Sequence, residues 1–350
     1  MDGSRSNGFH KADAVFEGGG VKGIGLAGAL EAFEAAGFRW QNVAGTSAGA
    51  ITAALVAADY SAREIRRVMD EDVDFARFMD PTPYGRLPWV GPWLSLLFTR
   101  GMFQGDYFLA TLRRLLSRKF EKEYVTFGDL ILPKEPGDSE EDYCRRYKYR
   151  LRVVVSDLTC NELLVLPQDA ARLGHDPDTL EVALAVRMSM SIPFFFRPVV
   201  VQDRHADKAH WLVDGGMLSN FPIRLFDAPL GEVPAWPTFG FLLAEPGSDE
   251  PANERIRGLV SMTRAMVHTM TGAHDRKALA EADKRRIVKV PTGTYRATDF
   301  RLTKDGRDWL YDSGYRAAEA FLREWSFAGY ITERAPETAE RRQAAMSSAA

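Results

Sequence analysis

Two glycine-rich turns, each set between a short apolar run and a stretch with helical spacing, constrain this chain more than any other feature. The first run, Ala12–Glu17, stops at Gly18-Gly19-Gly20. Gly23–Ala36 then carries Ile24, Leu26, Ala27, Leu30 and Phe33 at helical spacing, with Gly37 as a C-cap. The second run, Phe38–Ala44, leads into Gly45-Thr46-Ser47-Ala48-Gly49 and a helix predicted over Ala48–Ala58. Ser61-Ala62-Arg63-Glu64 is a capping-box pattern that opens a third helix. Strand, tight turn and helix, repeated, is the order of a parallel sheet with helical crossovers.

The alternation continues downstream. Tyr149–Asp157, Leu163–Leu166, Val199–Val201, Trp211–Val213 and Thr238–Leu243 read as strands. Asp178–Arg187, with Asp178 and Glu181 as a cap pair, Asn253–Lys284 and Lys304–Trp325 read as helices. The fold class is therefore α/β, with helices on both faces of a mostly parallel sheet. A chain of 350 residues with 45% apolar content is large enough for one thick-cored domain. Residues 12–330 are assigned to that domain, 1–11 to a flexible N-terminal arm and 331–350 to a disordered tail. Gly128–Tyr147, polar around Pro136-Gly137-Asp138, reads as a surface loop.

Composition excludes several classes of function. A formal net charge of -3 offers nothing to a nucleic acid. Cys144 and Cys160 have neither metal-ligand nor redox spacing and suit a reducing cytosol. The polar N-terminus lacks a secretory signal, and no apolar stretch is long enough to span a bilayer. A cytoplasmic protein, peripheral at a membrane if it meets one, is expected.

Gly45-Thr46-Ser47-Ala48-Gly49 fits the Gly-x-Ser-x-Gly pattern in the context its chemistry requires. A sharp strand-to-helix turn lifts the serine hydroxyl clear of the sheet, and the small neighbours Gly45, Thr46, Ala48 and Gly49 avoid clashes within it. Helix capping is the bland alternative. The loop Gly18-Gly19-Gly20-Val21-Lys22-Gly23 is open to three readings: a dinucleotide fingerprint, a set of backbone donors for an oxyanion, or a plain turn. The nucleotide reading wants an acid at the end of the second strand, where this chain has Ala44 and then Gly45-Thr46-Ser47.

A nucleophilic serine needs a base. Of six histidines, only His268 and His274 fall in the order expected of a Ser–acid–His triad, and both lie within a helical stretch. Asp214 is better placed, at the end of the apolar strand Trp211–Val213 and before Gly215-Gly216, where the chain can turn sharply. A buried carboxylate in reach of the hydroxyl can act as general base directly.

These three elements, in this order, resemble the patatin-like phospholipases of the bacterial type: a Gly-Gly-Gly-x-[Lys/Arg]-Gly loop, Gly-x-Ser-x-Gly, then Asp-Gly-[Gly/Ala]. Ser156-Asp157-Leu158-Thr159 with Glu162, and Ser189-x-Ser191-x-Pro193, are similar to further blocks of that family. Asn161, where glycine is frequent, and Met188, where alanine is, depart from its pattern. The resemblance covers about Ala12 to Leu322 and implies a three-layer α/β/α patatin-like fold. It implies a Ser47–Asp214 dyad without histidine, an acyl-enzyme, and release of fatty acid from a phospholipid or related lipid ester. Backbone N–H groups of Gly19, Gly20 and Val21 would hold the oxyanion, and Lys22 would position the loop or approach a phosphate, unless it is a plain solvated lysine. No metal and no cofactor is implied. The same dyad would serve a neutral-lipid esterase, thioesterase or acyltransferase, and a lipid- or nucleotide-binding protein without turnover is the rival of another class.

Phe78–Phe108 is aromatic and proline-rich, and Trp89, Trp93 and Phe98 beside Arg100 suit an interfacial patch on a membrane or a lid over the acyl site, with core as the alternative. Ile192-Pro193-Phe194-Phe195-Phe196 is a candidate lining for an acyl pocket, with core strand as its alternative.

Overall fold

The computed structural model describes residues 5–6, 9–86, 91–134, 139–203, 206–228, 234–244, 285–297, 299 and 301–334. Strand β1 (Arg5–Ser6) folds back antiparallel on β2 (Phe9–Phe16), so part of the expected N-terminal arm is sheet. His10 anchors this end, with its ring 5.3 Å from that of Phe38. Burial along β2 alternates between two cores. Ala12, Ala14 and Phe16 join the large one, while Val15 packs with Ala44, Phe221, Ile223, Phe226 and Ile287 on the opposite face.

After β2 come α1 (Ile24–Ala35), β3 (Phe38–Thr46), α2 (Ala48–Ala57) and α3 (Ala62–Arg67). Each begins within two residues of its sequence expectation, and the Ser61–Glu64 capping box is formed reciprocally. Next are α4 (Gly91–Thr99), β4 (Gly101–Phe103), α5 (Asp106–Phe120) and a single turn, α6 (Glu140–Asp142), within the stretch read as a loop. The sheet continues with β5 (Leu151–Asp157) and β6 (Glu162–Leu166), followed by α7 (Val182–Ser189), β7 (Phe194–Phe196), β8 (Val199–Asp203), β9 (Lys208–Asp214), β10 (Thr238–Ala244) and β11 (Ile287–Pro291). Helices α8 (Lys304–Glu324) and α9 (Phe327–Arg334) close the described chain, the second reaching past the boundary expected for the tail.

Helix α7 starts later than the sequence suggests. Asp178 is bonded to Lys148 at 3.0 Å and to the Tyr149 hydroxyl, and Glu181 holds Arg113 at 2.6 Å, so neither carboxylate caps the helix. Ion pairs reached from other elements outcompete the local cap. The helix expected over Asn253–Lys284, with His268 and His274, lies outside the described residues.

The main sheet pairs its strands as β11-β10-β2-β3-β5-β9-β8, with parallel pairing from β11 to β5 and antiparallel pairing beyond it. β2 lies between β3, its successor in sequence, and β10, which comes much later. Strand order therefore reverses at β2, and the crevice past its carboxyl end is where such sheets bind ligands. The glycine loop sits there.

Helices α1 and α8 hold the β2–β3 region by touching backbone to backbone. A Cβ on Gly28 would lie 1.9 Å from the Tyr311 carbonyl oxygen, and one on Gly314 would lie 1.9 Å from that of Gly25. Gly28→Val is expected to push α8 off the sheet and lower unfolding stability by about 3 kcal/mol. A urea midpoint equal to that of the unsubstituted chain would show that this contact is slack.

Candidate active site

Strand β5 carries the site because it has three partners. Gly45 and Thr46 of β3 pair with Val153 and Val154 on one edge, while Leu166 and Val165 of β6 pair with the same two residues on the other. One step on, Val155, Ser156 and Asp157 keep β6 on that second edge and take Asp214, Val213 and Leu212 of β9 on the first. β3 and β9 therefore share one edge of β5 and run toward each other. They end opposite the adjacent residues Val154 and Val155. Ser47 follows the end of β3, and Asp214 is the end of β9. Two residues 167 positions apart are thus brought face to face by backbone register.

Ser47 occupies φ 53°, ψ -125°, a conformation that costs a non-glycine residue about 1–3 kcal/mol. The turn is over-determined by its neighbours. A Cβ on Gly45 would lie 2.3 Å from the Gly49 backbone, and one on Gly49 would lie 2.3 Å from the Phe16 carbonyl oxygen. The Ser47 N–H donates to Ser189 Oγ at 2.9 Å, and that hydroxyl donates to the Val154 carbonyl at 2.6 Å. Thr46 Oγ1 donates to the Ser219 carbonyl at 3.2 Å. The serine is only 6% exposed, and its Oγ lies 3.6 Å from Met190 Sδ.

Asp214 is buried as well, at 4% exposure. Burial pushes its carboxyl up to about pKa 6, although the Ser47 hydroxyl and the Gly216 N–H pull the other way. The Gly216 N–H donates to Asp214 Oδ1 at 2.7 Å, and the Asp214 N–H donates to the Ser191 carbonyl at 3.0 Å. Gly215 is required here, because a Cβ would lie 2.3 Å from the Val154 carbonyl oxygen. Among the described residues no histidine hydrogen-bonds to Ser47 or Asp214.

The glycine loop abuts Ser47. A Cβ on Gly18 would lie 3.0 Å from Ser47 Cβ and 2.4 Å from Asn220 Oδ1. Not all of its N–H groups are available as donors. That of Gly18 is given to the Asn220 carbonyl at 3.3 Å, and that of Lys22 to the Gly19 carbonyl at 3.3 Å. Val21, expected among the oxyanion donors, gives its N–H to the Ala297 carbonyl at 3.1 Å and is corrected on that ground. The N–H groups of Gly19 and Gly20 have no acceptor among the described residues. Gly20 holds φ 58°, and the Gly20–Gly23 turn leads straight into α1. Lys22 is 5% exposed, so it is not a solvated lysine.

Asn220 went unnoticed in the sequence. Its Nδ2 donates to the Gly18 carbonyl at 3.1 Å and to Glu17 Oε1 at 3.2 Å, while Glu17 Oε2 accepts the Leu243 N–H at 2.6 Å. Since the Gly18 carbonyl and the Gly19 N–H belong to one planar trans peptide, fixing the first fixes the direction of the second. Asn220 also lies against the turn after Asp214, with its Oδ1 3.0 Å from the position of a Gly216 Cβ.

An apolar slot begins at Ala48, the residue after Ser47. Gly20, Val21 and Ile24 line it from the glycine loop, Ala48, Ile51 and Leu55 from α2, and Phe75, Phe78, Phe108 and Leu112 from the far wall. The Ile192–Phe196 run does not line it. Phe195 and Phe196 belong to the core, and Phe194 is 44% exposed. β7 instead pairs with β4, tying α4 to the segment that carries Ser189 and Ser191. On α4 the side chains of Trp93, Leu97 and Phe98 are 68%, 72% and 56% exposed, which excludes core for this part of the aromatic segment. Trp89 lies outside the described residues. Arg100 stacks on Trp211, 4.6 Å from its ring centroid.

Among the described residues no helix is long and apolar enough to cross a membrane. The one cluster there of three side chains able to ligate a metal is Asp157, Cys160 and His210, outside the Ser47 crevice.

Comparisons with known proteins give the family and the fold. A family model described as patatin-like phospholipase matches residues 14–227. The chain is 39% identical over 316 residues to YqhO of Bacillus subtilis, covering 90% of this chain and 99% of that protein. It is 24% identical over 247 residues to R571 of Acanthamoeba polyphaga mimivirus, covering 69% of each. The crystal structure of VipD from Legionella pneumophila superposes with a TM-score of 0.52 at 18% identity, covering 90% of this chain and 67% of VipD, a likeness of fold. The protein adopts the patatin fold, and its chain belongs to the patatin-like phospholipase family, a family of lipid acyl hydrolases.

Proposed function

We propose that the protein releases fatty acids from phospholipids or related lipid esters, with Ser47 as nucleophile and Asp214 as base. One observation carries the reading: sheet register sets a strained, buried serine against a buried carboxylate, and Ala48, next to that serine, lines an apolar slot. A carboxylate raised to about pKa 6 is still mostly ionised at neutral pH, yet is a stronger base than an exposed aspartate.

Asp214 takes the Ser47 proton as Oγ adds to the ester carbonyl. The Gly19 N–H, aimed through the Asn220 clamp on the Gly18 carbonyl, and the Gly20 N–H beside it meet the charge that develops on the carbonyl oxygen. Asp214 returns the proton to the leaving alcohol oxygen as the C–O bond breaks, which leaves an acyl-serine. A water then gives its proton to Asp214, attacks the acyl carbon and displaces Ser47 Oγ, which recovers the proton. The slot holds the acyl chain, and its lining, apolar but for Thr111, selects an aliphatic one.

A fluorophosphonate, which reacts with activated serines, is expected to label the unsubstituted chain and not Ser47→Ala. Asp214→Asn is expected to cut ester turnover by about 10²–10⁴-fold with folding intact. Labelling that survives in Ser47→Ala, or an unlabelled native protein that still binds lipid, would replace this reading with a binding function.

The exposed apolar face of α4 supports contact with a lipid surface. Replacing Trp93, Leu97 and Phe98 together with serine is expected to lower hydrolysis of vesicle substrate by about tenfold or more. Hydrolysis of a water-soluble short-chain ester should stay unchanged. Equal loss on both substrates would assign the face to the chemistry instead.

A further inference from the structure

Past the dyad, on the same two strands, the fold gathers a second set of reactive side chains. Asp157 ends β5, Cys160 lies in the turn to β6, and His210 stands on β9 four residues before Asp214. Asp157 and His210 are 1% and 3% exposed. Asp157 Oδ2 is 2.6 Å from His210 Nδ1, Cys160 Sγ is 3.7 Å from that nitrogen, and the three atoms lie within 4.8 Å of one another. Cys160 and His210 are 50 positions apart, which hides the set from any reading of cysteine spacing.

This is not a nucleophile–base–acid relay. In a relay the thiol addresses one imidazole nitrogen and the acid the other. Here sulfur and carboxylate both address Nδ1, while Nε2 is buried without a hydrogen bond among the described residues. Donors of sulfur, nitrogen and oxygen that converge on one volume are a chelate. We propose that Asp157, Cys160 and His210 form a binding site for a thiophilic divalent cation of the zinc class.

The dimensions fit. Bond lengths of about 2.3 Å to sulfur and about 2.1 Å to nitrogen and oxygen set tetrahedral ligand separations of about 3.3–3.6 Å. The Sγ–Nδ1 pair is already close to that value, and Asp157 Oδ2 needs to retreat by less than about 1 Å once a metal replaces the proton it shares with the ring. The carboxylate is oriented for this. Its Oδ1 accepts the N–H groups of Thr159 at 2.8 Å and Cys160 at 3.4 Å, leaving Oδ2 to the ligand position. Cys160 is half-buried, so the fourth coordination position is open to water. On binding, the thiol proton leaves to solvent and the ring proton moves from Nδ1 to Nε2. Lys208 Nζ lies 2.9 Å from Cys160 Sγ, a positive charge beside the place the cation takes, and so acts as its competitor.

The test is a titration of the full chain with cobalt(II) chloride, read by the thiolate-to-cobalt charge-transfer band in the near ultraviolet and by its displacement with zinc. One equivalent should give the band, and Cys160→Ser should abolish it. Lys208→Met should tighten binding about tenfold, because a repelling charge is gone. Ser47→Ala should leave the titration unchanged, which separates this site from the proposed hydrolase chemistry. No band, a band that survives Cys160→Ser, or weaker binding in Lys208→Met would overturn the site and leave a plain hydrogen-bond network.

Discussion

Two strands that end head to head on one edge of β5 are the constraint on which the rest of the site depends. β3 stops opposite Val154 and β9 opposite Val155, with no residue of β5 between the two ends. The Val154 carbonyl at the junction is bonded by the Ser189 hydroxyl, which in turn accepts the Ser47 N–H. One side chain thereby closes the gap in the ladder and holds the strained turn. An unpaired buried carbonyl there would cost on the order of 1–3 kcal/mol. The same junction demands glycine at 45, 49 and 215, where any Cβ would meet backbone.

The junction also fixes the electrostatics. Asp214 is removed from water with its carboxylate bonded by the Gly216 N–H two residues on, and its carboxyl is raised to about pKa 6 from an ordinary 3.8. A folded-state pKa above the unfolded one means that folding favours the protonated form. That preference adds stability below about pH 4 and is lost as pH rises through about 6, so the ionised carboxylate is held at neutral pH against the preference of the fold. In the proposed mechanism, the stability given up is what makes this aspartate basic enough to take a serine proton without histidine.

Much of this was legible in the sequence because it is local. Glycine turns between strand and helix, a serine in a Gly-x-Ser-x-Gly frame and an aspartate before Gly215-Gly216 are each specified within a few residues. The shared edge of β5 is not, since it depends on which halves of one strand take which partners. Ser189 was visible only as a member of a serine–proline block, with no sign of its bond to Ser47. Asn220 had a weaker signal, a lone amide four residues after Gly216 at a turn, and its hold on Gly18 is made across 202 positions. Asp178 and Glu181 show the opposite error: a good local cap pattern was overruled by Lys148 and Arg113 arriving from elsewhere. Cys160 and His210 were set apart by sequence distance and joined by the pairing of β5 with β9.

The central claim is that a buried Asp214, and no histidine, governs the reactivity of Ser47. The pH dependence of kcat/KM on a water-soluble ester tests it most directly, measured alongside single glutamine substitutions of all six histidines, His10, His175, His205, His210, His268 and His274. The expected profile falls on the acid side with a single-proton slope and an apparent pKa near 6, the same in every histidine variant. An acid limb near pH 4, or one that disappears with any of those histidines, would contradict it.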